Sequence, residues 1–323
     1  MNLFITGGAG FIGSNLCAFY LHEGNFVTCY DNFSTGKIDN IIDLYEQYPN
    51  NFKIIVGDIL DFEKLSNSLS EISYDIILHQ AALGSVPRSI EKPILYIQNN
   101  SLGFSNILEV AKLYNIKKII YASSSSVYGD SEGIPKIENI IGEQLSPYAY
   151  TKYTNELCAK LYHLCYGIDT IGFRYFNVYG KHQNPYGNYA AVIPKFITKL
   201  INKESPVIYG SGENTRDFTF IEDIIQIVNL AVTSENPNIW NQVYNAAFGG
   251  RTSINTLYKL ISSFLSEYDQ SITEIKPIYK EKRKGEVIDS LANIENAINK
   301  LGYKPNYSIE DGLRKTIRWY IEK

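Results

Sequence analysis

Two short stretches carry residue types that could move protons. The run SPYAYTKYTNEL at 146–157 sets Tyr148 and Lys152 at i and i+4, which share one face if the segment is helical. A free tyrosine ionises at about pH 10, too high for an effective base at neutral pH. A neighbouring ammonium stabilises the phenolate and lowers that value. Tyr150 is not an equal candidate, because Thr154 stands four residues beyond it. The second stretch, YASSSSVYGD at 121–130, contains four consecutive serines. Composition reads such a run as a flexible linker. Position could instead make it an active-site edge where adjacent hydroxyls face a substrate.

The elements around these stretches decide between the two. NLFIT (2–6), FVTCYD (26–31), FKIIVGD (52–58), DIILHQAA (75–82), KKIIYASS (117–124) and DTIGFRYFN (169–177) read as strands. They are rich in Ile, Val, Tyr and Phe, and several are apolar throughout, as buried parallel strands are. Helical patterns lie between them, at 11–23, 93–114 and 148–166. This alternation predicts an α/β fold, a Rossmann-type doubly wound parallel sheet covered on both faces. Ligands bind such sheets beyond the carboxyl ends of the strands. The serines sit at that end of the fifth strand, which weakens the linker reading. After about residue 175 the pattern becomes irregular, with helices near 190–202, 221–233, 253–267 and 309–321. The expected division is a nucleotide-binding domain over 1–175 and a smaller α/β substrate-binding lobe over 176–323, with a segment near 215–235 able to rejoin the first.

FITGGAGFIGSNL places Gly7, Gly10 and Gly13 between the first strand and its helix. Gly7 permits a tight turn, Gly10 lets backbone approach a pyrophosphate, and Gly13 allows close helix–strand packing. The phosphates would meet unpaired N–H groups at the helix start. The second strand ends at Asp31, 18 residues after Gly13. A carboxylate there accepts hydrogen bonds from adenosine ribose hydroxyls and repels a 2′-phosphate, so NAD is favoured over NADP.

Composition bounds the rest. A formal net charge of −4 on 323 residues gives no electrostatic reason to expect nucleic acid or an anionic membrane as partner. No apolar stretch approaches the roughly 20 residues of a membrane span. The MNLFITGG start lacks the basic leader and cleavage site of a signal peptide. Cys17, Cys29, Cys158 and Cys165 have no metal-ligand spacing, and no metal is expected. Apolar neighbours suggest that Cys158 and Cys165 are buried free thiols, which fits a reducing cytoplasm.

With its Gly-x-x-Gly-x-x-Gly spacing, DNFSTG (31–36), GDI (57–59) and HQAA (79–82), the chain resembles the extended short-chain dehydrogenase/reductase superfamily over its whole length. The resemblance implies adenine-pocket roles for Asp58 and Ile59 and ribose contacts near Asn32, Ser34, Thr35 and Gly36. It implies further cofactor contacts from Phe11, Ile12, Gln80, Ala81, Ala82, Asn99 and Tyr175, with Lys152 on the nicotinamide ribose. In nucleotide-sugar members a Ser or Thr stands four residues before a Tyr-Gly pair. Tyr128-Gly129 puts that residue at Ser124, whose hydroxyl would bond the sugar O4 and share the proton path with Tyr148. Where 4,6-dehydratases carry Asp and Glu, this chain has Ser125 and Ser126, so no carboxylate can run an elimination. That leaves 4-epimerisation, an oxidation and re-reduction at C4 through a 4-keto sugar with NAD recycled in each turnover.

Most of the chain is similar to bacterial UDP-N-acetylglucosamine 4-epimerases, through QAALGSVPRS, SSSVYGD, SPYAYTKY, RYFNVYG, NYAAVIPKF, TRDF and GGRTS. This likeness implies that Asn177 and Arg88 touch the substrate and that Arg216 and Arg283 clamp its diphosphate. Val192, Phe196, Val207 and Tyr209 would surround the uracil. Ser290 stands where a bulky Tyr restricts related enzymes to glucose and galactose, so a 2-acetamido group would fit. Gly84, Ser85, Gln183 and Ala191 match the acetamido-selective subfamily. Glu286, Ile288, Asp289 and Asn293 depart from it and leave UDP-glucose or UDP-N-acetyl hexuronic acids as alternative substrates. A non-catalytic NAD-sensing module is a remote alternative. A homodimer through helices near 93–114 and 148–166 is expected, with Leu157, Leu161, Leu164 and Cys165 on core or seam.

Overall fold

Successive residues of the first strand, β1 (Asn2–Thr6), are buried on opposite faces of a sheet. Leu3 and Ile5 join one core with Cys17, Val27 and Leu78, whereas Phe4 joins a second with Tyr30, Ile77 and Phe104. The alternation follows from the period of two along a strand. It accounts for the unbroken apolar runs, since a parallel sheet covered on both faces has no wet side. The structure is a computed structural model and describes residues 1–186, 190–281 and 289–322.

The sheet continues with β2 (Phe26–Asp31), β3 (Phe52–Val56), β4 (Ile76–His79), β5 (Lys118–Ser124), β6 (Asp169–Tyr175) and β7 (Gln242–Ala246). All pairs are parallel, in the order β3-β2-β1-β4-β5-β6-β7. Chain order reverses between β1 and β4, and a doubly wound sheet opens its ligand crevice beyond the strand ends there. The helices of eight or more residues among the described residues are α1 (Phe11–His22), α2 (Phe62–Leu69), α3 (Gly103–Leu113), α4 (Pro147–Tyr166), α5 (Val192–Ile201), α6 (Ile221–Thr233), α7 (Ile254–Ser266) and α8 (Ile309–Glu322). No helix among the described residues is long and apolar enough to cross a membrane.

Four features differ from the sequence reading. The strand β7, which the sequence reading did not anticipate, pairs with β6 through residues 242–246. The stretch 93–114 is not one α-helix: Pro93–Tyr96 is α-helical, Ile97–Leu102 is a π-helix, and α3 follows. Its wide turn is tied from inside by Asn100, which accepts from Leu83 N at 2.8 Å and donates to Leu83 O and Thr151 Oγ1. Strands β3, β4 and β6 stop before Gly57, Gln80 and Phe176, where the chain turns into cavity-lining loops. Cys165 is exposed and Cys158 half-buried, contrary to expectation, while Cys17 and Cys29 are buried. The apolar neighbours that suggested burial, Leu157, Leu161 and Leu164, are themselves exposed on α4.

Candidate active site

The glycine turn after β1 is shaped by close approach. Gly7 has φ of +66°, a conformation that favours glycine, and a Cβ there would stand 2.6 Å from Ala81 N. A Cβ at Gly13 would stand 2.1 Å from Gly7 O. Gly10 precedes α1 without a side-chain cap, which leaves first-turn N–H groups for an anion. At the end of β2, Asp31 accepts from Ala9 N at 3.0 Å and Phe33 N at 2.8 Å. Burial pushes its pKa up, and these two bonds hold it down. Each of its oxygens retains capacity to accept a further hydrogen bond. Gln80 accepts from Tyr175 OH at 3.1 Å, and its buried Nε2 has no protein partner. The cradle, the acidic strand end and this orphaned amide fit a dinucleotide.

These groups line a cavity of about 550 Å³. Its wall takes Gly7, Gly10, Phe11, Ile12 and Gly13 from the first turn, and Asp31, Asn32, Ser34 and Thr35 from the second. Ile59, Gln80, Ala81, Ala82, Gly84, Ser85 and Asn99 continue it along the β3, β4 and π-helical segments. Ser124, Tyr148, Lys152, Tyr175, Asn177, Gln183 and Ala191 close the far end.

At that end three groups converge. The N-cap of α4 is Ser146, which accepts from Ala149 N and is followed by Pro147 at the first helical position, so the helix begins one residue before Tyr148. The Ser124 hydroxyl stands close enough to Tyr148 to lower its pKa, and Ser124 accepts from Ser126 N at 3.1 Å. The Tyr148 ring packs edge-on against Tyr96, whose hydroxyl donates to Gly84 O at 2.7 Å. Lys152 is buried and donates through Nζ to Ala122 O at 2.8 Å.

The electrostatics correct one expectation. Tyr148 is raised above its ordinary pKa by burial, and the opposing influence is the hydrogen bond from Ser124, not Lys152. Lys152 is itself lowered to about 8 by burial, and its Nζ lies 5.9 Å from the Tyr148 ring centre, engaged with a carbonyl. One carbonyl replaces only part of the hydration that the buried ammonium gives up, which is why its pKa falls.

Other expected residues stand outside the wall. Gly36 lies behind it, where a Cβ would meet Asp31 Oδ2 at 2.9 Å. Asp58 is engaged by Asn32 Nδ2 and Leu60 N, so it supports a wall residue. Arg88 is half-buried on the short helix capped by Ser85. Ser125 and Ser126 form the turn after β5, with Ser126 Oγ buried and unpartnered. Phe196 is 3% exposed and packs perpendicular to the Tyr258 ring, which makes it a core residue. Val192 starts α5, and Val207 and Tyr209 pair with the strand Ile278–Lys280. Arg216 belongs to the two-residue strand Thr215–Arg216, and Ser290 N donates to Thr215 O at 3.2 Å. Asp289 accepts from Thr215 N and Oγ1, while Asn293 accepts from Glu295 N. The hydrogen bond from Thr215, then Arg251 and Arg216, hold Asp289 below its ordinary pKa. The residues Arg283, Glu286 and Ile288 lie outside the described residues.

Sequence reasoning missed Tyr30, Gly57, Leu83, Ala122, Ser123 and Val178, which also line the cavity. Each lies within two residues of one that was identified. Strand ends offer successive residues to the crevice, and that adjacency was the available signal. Among the described residues no cluster of His, Cys, Asp and Glu could hold a metal.

The family model described as GDP-mannose 4,6 dehydratase matches residues 4–316. The chain is similar to the UDP-N-acetylglucosamine 4-epimerase of Methanobrevibacter ruminantium, solved in complex with UDP-N-acetylmuramic acid. They share 40% identity, with a TM-score of 0.89 over 99% of this chain and 98% of that one. It is similar to the UDP-glucose 4-epimerase of Thermotoga maritima, solved with UDP-glucose, at 32% identity and a TM-score of 0.91 over 100% and 99% of the two chains. A third likeness is to the UDP-glucuronic acid 4-epimerase of Bacillus cereus, in complex with UDP-glucuronic acid and NAD. Identity is 30% and the TM-score 0.88, over 100% and 99%.

Proposed function

The chain belongs to the GDP-mannose 4,6 dehydratase family, extended short-chain dehydrogenase/reductases that act on nucleotide sugars with NAD, and we propose that it interconverts UDP-N-acetylglucosamine and UDP-N-acetylgalactosamine. One observation carries the 4-epimerase reading. Tyr148 and Ser124 stand together in the cavity wall, and the two positions after Ser124 are serines where a dehydratase needs acids. A proton can leave and rejoin a hydroxyl there, and no carboxylate at those positions drives loss of water.

In this reading Gly7, Gly10, Gly13, Asp31, Gln80 and Lys152 hold NAD. NAD bound there would supply a hydride acceptor for C4 and, once reduced, the donor that returns the hydride to the opposite face of the sugar. Tyr148, assisted by Ser124, takes the proton from the C4 hydroxyl and returns it after the keto sugar turns over. Lys152 contributes a buried cation one helical turn behind Tyr148. Asn177 and Arg216 retain the UDP during that rotation, with Arg283 as the second guanidinium. Arginine suits this task because its planar fork meets phosphate bidentately. The N-acetyl preference is supported by Gly84, Ser85, Gln183 and Ala191, small or amide-bearing residues in the same wall.

A second copy of the chain is the proposed partner for the outer face of α4, where Leu157, Leu161 and Leu164 are exposed, beside exposed Leu102 and Leu113. The cysteines are free, which fits a cytoplasmic enzyme.

The test is incubation of purified protein with UDP-N-acetylglucosamine, UDP-glucose and UDP-N-acetylglucosaminuronic acid separately, without added NAD, reading the 4-epimer by NMR. Conversion of the first is expected. Conversion of another with none of the first overturns the substrate assignment.

A further inference from the structure

Three consecutive residues of β5 each meet α4, one per helical turn. Ala122 O accepts from Lys152, Ser123 Oγ donates to Glu156 Oε1 at 2.6 Å, and the Ser124 hydroxyl stands beside Tyr148. Two of these rungs belong to the proposed chemistry. The third does not, and it is the most heavily anchored.

Glu156 is only 9% exposed and stands one turn beyond Lys152 and two beyond Tyr148, on the same helix face. Besides Ser123 it accepts from Arg174, through Nε to Oε1 at 2.9 Å and Nη2 to Oε2 at 2.7 Å. This fork fixes the carboxylate in plane as well as in distance. Arg174 is the register partner of Ser123 across β5 and β6, so one carboxylate grips two adjacent strands. The guanidinium is held in turn, donating to Glu138 O at 2.9 Å and lying 4.7 Å from the Tyr128 ring centre. One residue further along both strands lie Ser124 and Tyr175, which line the cavity.

We infer that Glu156 is a positioning residue for the reaction: by locking α4 to β5 and β6 it sets the separation of Tyr148 from Ser124. This rests on the epimerase reading above. The Ser123 hydroxyl on the same oxygen satisfies a lone pair of the buried carboxylate and at the same time ties the ion pair to β5. That hydroxyl joins the pair to the residue next to Ser124.

Ser123→Ala tests the link most cleanly, because it cuts the rung to β5 and leaves Glu156 paired with Arg174. Glu156→Gln keeps the shape and an acceptor oxygen but loses the charge, and Glu156→Ala removes both. Steady-state turnover of the UDP-sugar that the wild type converts is measured from pH 6 to 9, well below each variant's melting temperature, together with resident NAD content. Ser123→Ala is expected to lower kcat about threefold to tenfold with KM and NAD content unchanged, and to move the acid limb of the kcat profile to higher pH, because Ser124 is held less closely to Tyr148. Glu156→Gln should lose more, and should recover part of what Glu156→Ala loses. Folded Ser123→Ala and Glu156→Gln with wild-type kcat and pH profile, and only a lower melting temperature, would overturn the inference and leave the epimerase reading standing. If Glu156→Ala does not fold, the other two variants decide. A wild type that converts no UDP-sugar overturns the function and this role with it.

Discussion

Lys152 donates through Nζ to the main-chain carbonyl of Ala122 at 2.8 Å, two residues before Ser124 on the same strand. The bond holds a 2%-exposed ammonium inside the protein, at a cost visible in its titration. Its pKa falls from 10.5 to about 8 through burial. Between those values the unfolded chain binds a proton that the folded chain has shed, so stability rises with pH across that window. Below about pH 8 both states are protonated, and the folded state carries the full cost of the buried charge. Lys152→Met should therefore unfold at higher denaturant than wild type at pH 7, while turning over at least about tenfold more slowly. Its advantage should shrink above pH 8 by about 1.4 kcal/mol per pH unit. Urea melts from pH 7 to 10 measure this, and a gap constant with pH refutes it.

In the proposed cycle Tyr148 must be deprotonated to accept a proton, yet burial raises its pKa and Ser124 is what pulls it down. Turnover should accordingly rise with pH on the acid side. Removing the Ser124 hydroxyl should shift that rise upward as well as slow the reaction. Tyr148→Phe is expected to cut kcat by about 10²- to 10⁴-fold and Ser124→Ala by less, both with resident NAD retained. Near-normal turnover in Tyr148→Phe would remove it from the mechanism.

The turn after β1 makes a steric prediction. A methyl at Gly13 would stand 2.1 Å from Gly7 O and 2.8 Å from Gly8 Cα, both backbone atoms that cannot rotate away. The helix must shift to admit it. Gly13→Ala should cost about 1–3 kcal/mol or more in stability and purify with little NAD. Absorbance of the released cofactor and a thermal melt read the two effects separately. Full occupancy with unchanged stability contradicts this account of the turn.

What the sequence disclosed and what it hid divide along a physical line. The six strands and the residues at their carboxyl ends were legible because apolar runs and glycine punctuation are local signals. The strand β7 was not. Its core residue Asn245 is polar, and its partners Tyr128 OH, Lys136 O and Asn293 O come from distant segments. The π-helical turn was hidden for a like reason: Asn100 is satisfied by Leu83 and Thr151, which no spacing within 93–114 reveals. The pKa of Tyr148 depends on burial, so placing a lysine four residues on could not determine its direction. For Leu157, Leu161 and Leu164, periodicity found an apolar face but could not say whether this chain covers it.

Gly84 offers the sharpest test of sugar choice. It lines the cavity, and a Cβ built there meets nothing within 4 Å, so a larger side chain would extend into open space without disturbing its neighbours. Its carbonyl holds the hydroxyl of Tyr96, which buttresses Tyr148, and that bond uses backbone only. Gly84→Leu should therefore fold with its NAD and its Tyr148 geometry intact, and act by occupying volume. If the 2-acetamido group lies against this wall, kcat/KM for UDP-N-acetylglucosamine should fall at least about tenfold more than for UDP-glucose. That ratio corresponds to about 1.4 kcal/mol of lost discrimination, the scale of a methylene or two in a pocket. Equal losses on both sugars would place the acetamido group elsewhere.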